Sequence, residues 1–303
     1  MDNTTNYFPL NETTNIPAIG YGTYLITDEA AAEAVHTAIE IGYRHIDTAA
    51  GYHNENGVGE GVHRASKSLE LSRNEIFVTT KLWPGNPAWG DQPKSYADAL
   101  TAAEESLSKL GLDYVDLYLI HAPFGGSERL NEWRALIDFQ KAGKARSIGV
   151  SNFTVKHLEE IRLAGLQMPD ANQIELHPWS QKPELIAYMR THNISPIAYS
   201  SLAPASTWRK EPGQDSAKTD DMRNVDVFIK LAEKYGVSEA QFLLKWGVQN
   251  GYAVLPKSMN ENRMAQNLDL FGFEISKSDM DDIQSMDRGE AIAWASGDPS
   301  IAR

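Results

Sequence analysis

The sequence predicts an α/β protein folded as one (β/α)8 TIM barrel spanning residues 1–303. Three observations carry that prediction. First, eight short β-rich runs alternate with longer segments of helical period, which requires crossover connections and a parallel sheet. Second, most runs are apolar through their centres, as parallel strands covered on both faces must be. Third, no dinucleotide fingerprint of an open doubly wound sheet occurs. Gly57, Gly59 and Gly61 have the wrong spacing for it, and no phosphate loop ends in Gly-Lys-Ser/Thr. Eight units in 303 residues suit a closed barrel, for which about 250 residues is typical.

Residues 7–20 (YFPLNETTNIPAIG) read as two short strands around a turn at 11–15, a hairpin expected to plug the barrel bottom. The eight strand runs are 17–22, 44–48, 76–82, 114–120, 145–150, 171–176, 195–200 and 252–256. The first helix, 28–41, starts on Asp28 and puts Ala31, Ala34, Val35, Ala38 and Ile41 on one face. Further amphipathic segments lie at 95–110, 128–142, 154–164 and 183–192. Gly42 and Gly111 fall just past two of these helices, where a left-handed cap is expected. Residues 276–286 predict one extra C-terminal helix, followed by an irregular tail to residue 303. The longest polar stretch, 203–221, follows the seventh run and so falls on the face where barrel sites are built.

The composition narrows the chemistry. With no cysteine, the chain holds no disulfide, thiolate zinc site, iron–sulfur cluster or cysteine nucleophile. Its 28 basic and 41 acidic residues give a net charge of −13, which disfavours nonspecific binding to nucleic acid or anionic membranes. The first residues lack the basic and apolar stretches of a signal peptide. No apolar run approaches the roughly 20 residues that cross a bilayer. A cytoplasmic monomer is expected, and the Asn-x-Ser/Thr triplets at Asn3, Asn11, Asn152 and Asn193 read as chance.

In a barrel, reactive groups sit at the carboxyl ends of strands. Asp47 ends the second run, Lys81 the third, and His121 follows the fourth; Tyr52 lies in the loop just past Asp47. Each alone has a structural explanation: a turn former, a snorkelling lysine, a histidine before proline. All four on one rim call for more, because Lys and Asp are seldom placed in apolar strands without a partner. An ammonium at about 4 Å favours a phenolate by roughly 4 kcal/mol at an effective dielectric near 20. Lys81 is therefore expected to bring the Tyr52 hydroxyl toward neutral pH, with Asp47 keeping Lys81 charged. His121 adds a second donor, so the set reads as a general acid poised for a developing alkoxide. A metal-dependent hydrolase using His121, His177, Asp47 and Glu175 is the weaker reading, since no His-x-His pair occurs. A catalytically silent cofactor-binding barrel is a third, disfavoured by the intact set of four.

The segments GYRHIDTAAGYHNENGVGEGV, FVTTKLW, DLYLIHAP, SIGVSNF, NQIELHP and LPKSMNENRMAQN stand in an order that resembles the aldo-keto reductases, from about Ile19 to about Met286. The nearest resemblance is to prokaryotic and fungal reductases of small ketones, ketoaldehydes and ketosugars. It implies NADPH-dependent reduction of aldehydes or ketones, with Tyr52 as proton donor and Asp47, Lys81 and His121 completing a tetrad. It assigns the nicotinamide carboxamide to Ser151, Asn152 and Gln173, the ring stack to Tyr199 and the pyrophosphate turn to Ser200 and Leu202. Gly22, Thr23, Tyr24 and Asp47 line the cofactor's front edge. Lys257, Ser258, Met259, Asn260, Arg263, Gln266 and Asn267 match the adenosine end. The residues agree there: Lys257 and Ser258 open a helix, whose amides favour anions, and Arg263 can grip a phosphate bidentately. Glu261 nearby would suit NAD, but the Lys, Ser and Arg together point to the 2′-phosphate of NADP. Substrate-pocket candidates are Tyr24, Trp83, Trp89, His121, Ala122 and Phe124. Relatives often carry Trp after the catalytic His, so Ala122 predicts a roomier pocket on that side. The 203–221 loop is expected to clasp the cofactor.

Overall fold

The computed structural model describes residues 6–209, 214–223, 225–289 and 291–301. Strands β1 (Tyr7–Pro9) and β2 (Asn15–Pro17) form the antiparallel hairpin. Eight parallel strands follow: β3 (Tyr21–Gly22), β4 (His45–Asp47), β5 (Phe77–Leu82), β6 (Val115–Ile120), β7 (Ala145–Ser151), β8 (Ala171–Glu175), β9 (Ser195–Tyr199) and β10 (Ala253–Val254). They hydrogen-bond in sequence order from β3 to β10. The two ends then meet: Gly20 N donates to Val254 O at 2.8 Å, and Val254 N donates to Ala18 O at 2.9 Å. The sheet has curled until the segment leading into β3 bonds β10, which covers both edges.

Helices α1 (Asp28–Ile41), α2 (Glu55–Ser68), α3 (Tyr96–Leu110), α4 (Arg129–Lys141), α5 (Val155–Leu163) and α6 (Pro183–Thr191) each follow a strand. After β9 come α7 (Asp220–Arg223), α8 (Val227–Tyr235) and α9 (Glu239–Gln249); α10 (Glu261–Leu268) follows β10. The extra C-terminal helix is α11 (Lys277–Gln284). The local reasons are ordinary ones. In α3, Ser95 and Asp98 cap each other's backbone amides, and Ala99, Ala103, Leu107 and Leu110 form the buried stripe. Gly111 ends it at φ 63°.

Two apolar layers result. The larger lies between strands and helices and includes Trp133, Phe139, Phe153 and Phe242. The smaller fills the lower barrel, where Phe77, Leu117, Leu119, Ile197 and Leu255 meet Leu10 and Ile16 of the hairpin. Asn11 Nδ2 donates to Ser147 Oγ at 3.0 Å and Asp170 Oδ2 at 3.3 Å. The hairpin thus closes the amino-terminal end of the barrel and leaves the other end open.

The structure differs from the sequence reading at two places. The run 17–22 is divided, because Pro17 ends β2 and only Tyr21–Gly22 continues as a strand. Gly57, Gly59 and Gly61 lie on the buried face of α2, a helix absent from the amphipathic segments read from the sequence. A Cβ on Gly57 would lie 2.0 Å from Asp28 O, and one on Gly59 would lie 2.2 Å from Leu110 O. These glycines let α2 approach its neighbours, and their lack of side chains hides the helix from a hydrophobic-period reading. Gly59→Val is expected to destabilise the protein by about 1–3 kcal/mol through overpacking, read as a lower urea midpoint at unchanged slope.

Candidate active site

Asp47 ends β4, Lys81 lies one residue before the end of β5, and His121 immediately follows β6. Adjacent parallel strands bring these three together despite their separation in sequence. Tyr52 joins them because a single-turn helix, Ala50–Tyr52, folds the β4 loop back over the rim. Lys81 is fully buried, and its ammonium donates to Asp47 Oδ1 at 2.6 Å, Thr48 O at 2.8 Å and the Tyr52 hydroxyl at 3.4 Å. The second carboxylate oxygen of Asp47 accepts from Gln173 Nε2 at 2.8 Å. The His121 ring meets Tyr52 edge-on, with centroids 5.5 Å apart.

Burial lowers the pKa of Lys81, and Asp47 opposes that fall. Burial also pulls His121 down to about 3, with Lys81 adding to the effect, so the imidazole is neutral at physiological pH. Tyr52 goes the other way. Burial raises it well above its ordinary value, Asp47 and Tyr24 add to the rise, and Arg209 opposes it. This corrects the expectation that Lys81 brings the phenol toward neutral pH. The Asp47 carboxylate beside the ammonium offsets its field at Tyr52, and desolvation dominates.

A cavity of about 1870 Å³ runs from this cluster along the open end of the barrel. Its walls include Gly22, Tyr24, Asp47, Tyr52, Trp83, Trp89, His121, Ser151, Asn152, Gln173, Tyr199, Ser200 and Leu202. At the far end they include Lys257, Ser258, Met259, Arg263, Gln266 and Asn267. Five predicted residues do not line it, the fully buried Lys81 among them. Thr23 is buried, its hydroxyl donating to Asp47 O at 3.0 Å. Asn260 caps α10 by accepting from Arg263 N at 3.0 Å. Ala122 is fully buried. Phe124 packs against Trp83, Trp89 and Trp294 from outside the cavity. The roomier pocket expected at Ala122 is therefore corrected: Trp294 stacks on Trp89 at 6.4 Å and meets the His121 ring at 6.5 Å on that side.

Trp294 and Arg209 are among the wall residues that sequence reasoning missed. Trp294 Nε1 donates to the Tyr199 hydroxyl at 3.1 Å, which donates to Asn152 Oδ1 at 2.7 Å. Asn152 Nδ2 in turn donates to the backbone oxygen of His121 at 3.0 Å. The only signal was a tryptophan in an otherwise small and polar tail. Glu175 and His177, weighed above as metal ligands, bond each other at 2.9 Å instead. Glu175 also accepts from the amides of Ile292 and Ala293 and so straps the tail over the cavity. The 203–221 loop is likewise tied down. Ser206 bonds the Glu239 carboxylate, and Lys218 Nζ donates to Ala203 O and Ala205 O. Residues 210–213 of that loop lie outside the described residues.

A protein-family profile described as "Aldo/keto reductase family" matches residues 18–288. The chain belongs to the aldo/keto reductase family. This aldo/keto reductase is 36% identical to the NAD(P)H-dependent D-xylose reductase I,II of Candida tropicalis, with 92% of each chain covered. It is 38% identical to the glyoxal reductase of Bacillus subtilis, with 93% of each covered. Among solved structures, it is similar to a Bombyx mori aldo-keto reductase in complex with NADP. The TM-score is 0.82 and identity 35%, over 95% of this chain and 94% of that one. Among the described residues of the reductase, no helix is long and apolar enough to cross a membrane.

Lys81→Met leaves the Asp47 carboxylate buried beside apolar atoms. It is expected to cost about 3–5 kcal/mol, with the double change Asp47→Leu/Lys81→Met recovering much of that loss, as measured by urea denaturation.

Proposed function

We propose that this aldo/keto reductase reduces aldehydes or ketones to alcohols with NADPH, and that Tyr52 donates the proton. The observation that carries the reading is the Lys81 ammonium shared between Asp47 and the Tyr52 hydroxyl on the cavity wall.

The residues present suit an extended dinucleotide. The cavity is long and holds polar groups at both ends. Ser151, Asn152 and Gln173 would hold the carboxamide, Tyr199 would stack on the ring, and Ser200 and Leu202 would meet the pyrophosphate. Gly22 and Tyr24 flank the front edge. Lys257, Ser258, Met259, Arg263, Gln266 and Asn267 would take the adenosine end, where cationic side chains and the amides opening α10 favour a 2′-phosphate. The 203–221 loop would clasp the cofactor. When bound, the cofactor supplies a hydride.

Tyr52 keeps its proton across the neutral range because its phenol is desolvated. An alkoxide is far more basic than a phenolate, so transfer from Tyr52 to a developing alkoxide runs downhill. Lys81 then faces the new phenolate and stabilises it until a solvent proton replaces the one lost. Asp47 keeps Lys81 charged through that cycle. His121, held neutral, has one N–H to donate to the same oxygen and lacks the acidic second proton of an imidazolium. Trp83, Trp89 and Trp294 would form the apolar wall against the substrate.

Tyr52→Phe is expected to reduce kcat at least about a thousandfold while cofactor binding, followed by fluorescence titration, is retained. Retained turnover would overturn the assignment. Because the Tyr52 pKa is raised, the rate of reduction is expected to stay level between about pH 6 and pH 9 and to fall only at more alkaline pH. Arg263→Leu is expected to weaken NADPH binding about tenfold or more and NADH binding far less. Equal losses would remove the 2′-phosphate from this end.

A further inference from the structure

We propose that Arg209 is an anion-binding residue of the substrate site, so that the preferred carbonyl compounds carry a carboxylate remote from the reacting carbon. The proposal rests on the reductase reading above and names its substrate class.

The guanidinium of Arg209 lies 5.5 Å from the centre of the Tyr24 ring and 4.4 Å from that of Trp208. The Tyr24 ring lies 5.1 Å from the ring of Tyr52. The positive charge is therefore one aromatic ring away from the proton donor, on the cavity wall. Nη1 donates to two backbone carbonyls, Asp215 O at 2.9 Å and Ala293 O, which fixes the guanidinium between loop and tail. Nε–H and the Nη2 hydrogens have no acceptor among the described residues, and no carboxylate there forms an ion pair with this arginine.

Glu175, Asp91 and Glu239 are engaged elsewhere, and the exposed Asp215, whose backbone oxygen accepts from Arg209, forms no ion pair with it among the described residues. Glu175, whose field reaches Arg209, is taken by His177 and by the amides of Ile292 and Ala293. On the cavity wall, Asp91 accepts from Trp83 Nε1 and Glu239 from Ser206. A largely desolvated guanidinium without a counter-ion is costly. An arriving carboxylate meets a pre-positioned fork with donors to spare. The chain's charge of −13 makes such a local cation necessary if an anion is to enter.

Two anions could use this charge, a substrate carboxylate or the cofactor's pyrophosphate. The placement favours the substrate, because Arg209 is bracketed by Tyr24 and by the tail next to Trp294. Those residues stand at the Tyr52 end of the cavity, not at the end formed by Lys257 and Arg263.

The test compares para-formylbenzoate with its methyl ester, a near-isosteric neutral aldehyde, using wild type, Arg209→Met and Arg209→Lys with NADPH. Wild type is expected to favour the acid over the ester in kcat/KM by about tenfold. Arg209→Met should remove that ratio mainly through KM for the acid, and Arg209→Lys should keep part of it, having the charge without the fork. A wild type that turns over the ester with no preference for the acid overturns the proposal and leaves the reductase reading standing. A wild type that reduces neither aldehyde overturns both. Equal losses on acid and ester in Arg209→Met would make Arg209 a tether for the tail. A raised KM for NADPH with an unchanged acid-to-ester ratio would assign it to the pyrophosphate. Either result overturns the proposal.

Discussion

The buried ion pair between Lys81 and Asp47 is the constraint on which the rest of the site depends. Removing an ammonium and a carboxylate from water costs several kcal/mol per ion after relaxation. It is tolerable only where every polar atom is met. Here the ammonium finds Asp47, Thr48 O and Tyr52, while the other carboxylate oxygen finds Gln173 on β8. The bond from Gln173 to Asp47 joins β8 to β4, strands that are not neighbours in the sheet, so it is made across the barrel interior. The sheet must therefore be closed for the pair to be satisfied. The hairpin contributes to the same end by filling the lower barrel with Leu10 and Ile16.

The open end is shaped by segments that are not part of the barrel. Glu175 leaves the end of β8 and captures the tail amides, which brings Trp294 over the cavity. Trp294, Tyr199 and Asn152 then form a chain of hydrogen bonds that ends on the backbone of His121. Loop 203–221 enters from the other side and is pinned to α9 through Ser206 and Glu239. The barrel thus sets the acid–base chemistry, and two irregular segments set the walls that a substrate meets.

Much of this was legible in the linear chain. Apolar runs at spacing suited to parallel strands predicted the barrel, and Asp47, Lys81 and His121 were conspicuous because charged or titratable groups stood at the ends of apolar strands. The hairpin at 7–20 and the C-terminal helix at 276–286 were readable as well. Three features were not. The glycines of α2 carry no side chains to show a period, so the helix they serve was invisible. Ala122 was read as pocket wall because relatives often carry Trp after the catalytic His, yet consecutive residues at a strand end point to opposite sides. Arg209 and Trp294 lie in polar, irregular segments, where sequence offers no periodicity to say which way a side chain turns.

The amino-acid sequence by itself determined the order of strands and helices, the rim on which the ionisable groups fall and the family to which the chain is similar. Those properties follow from local spacing and residue type. Only the tertiary structure decided how acidic Tyr52 is, whether Ala122 faces the cavity and that Glu175 holds a tail and not an ion. Each depends on distances between residues far apart in sequence, and on how completely packing removes water from between them.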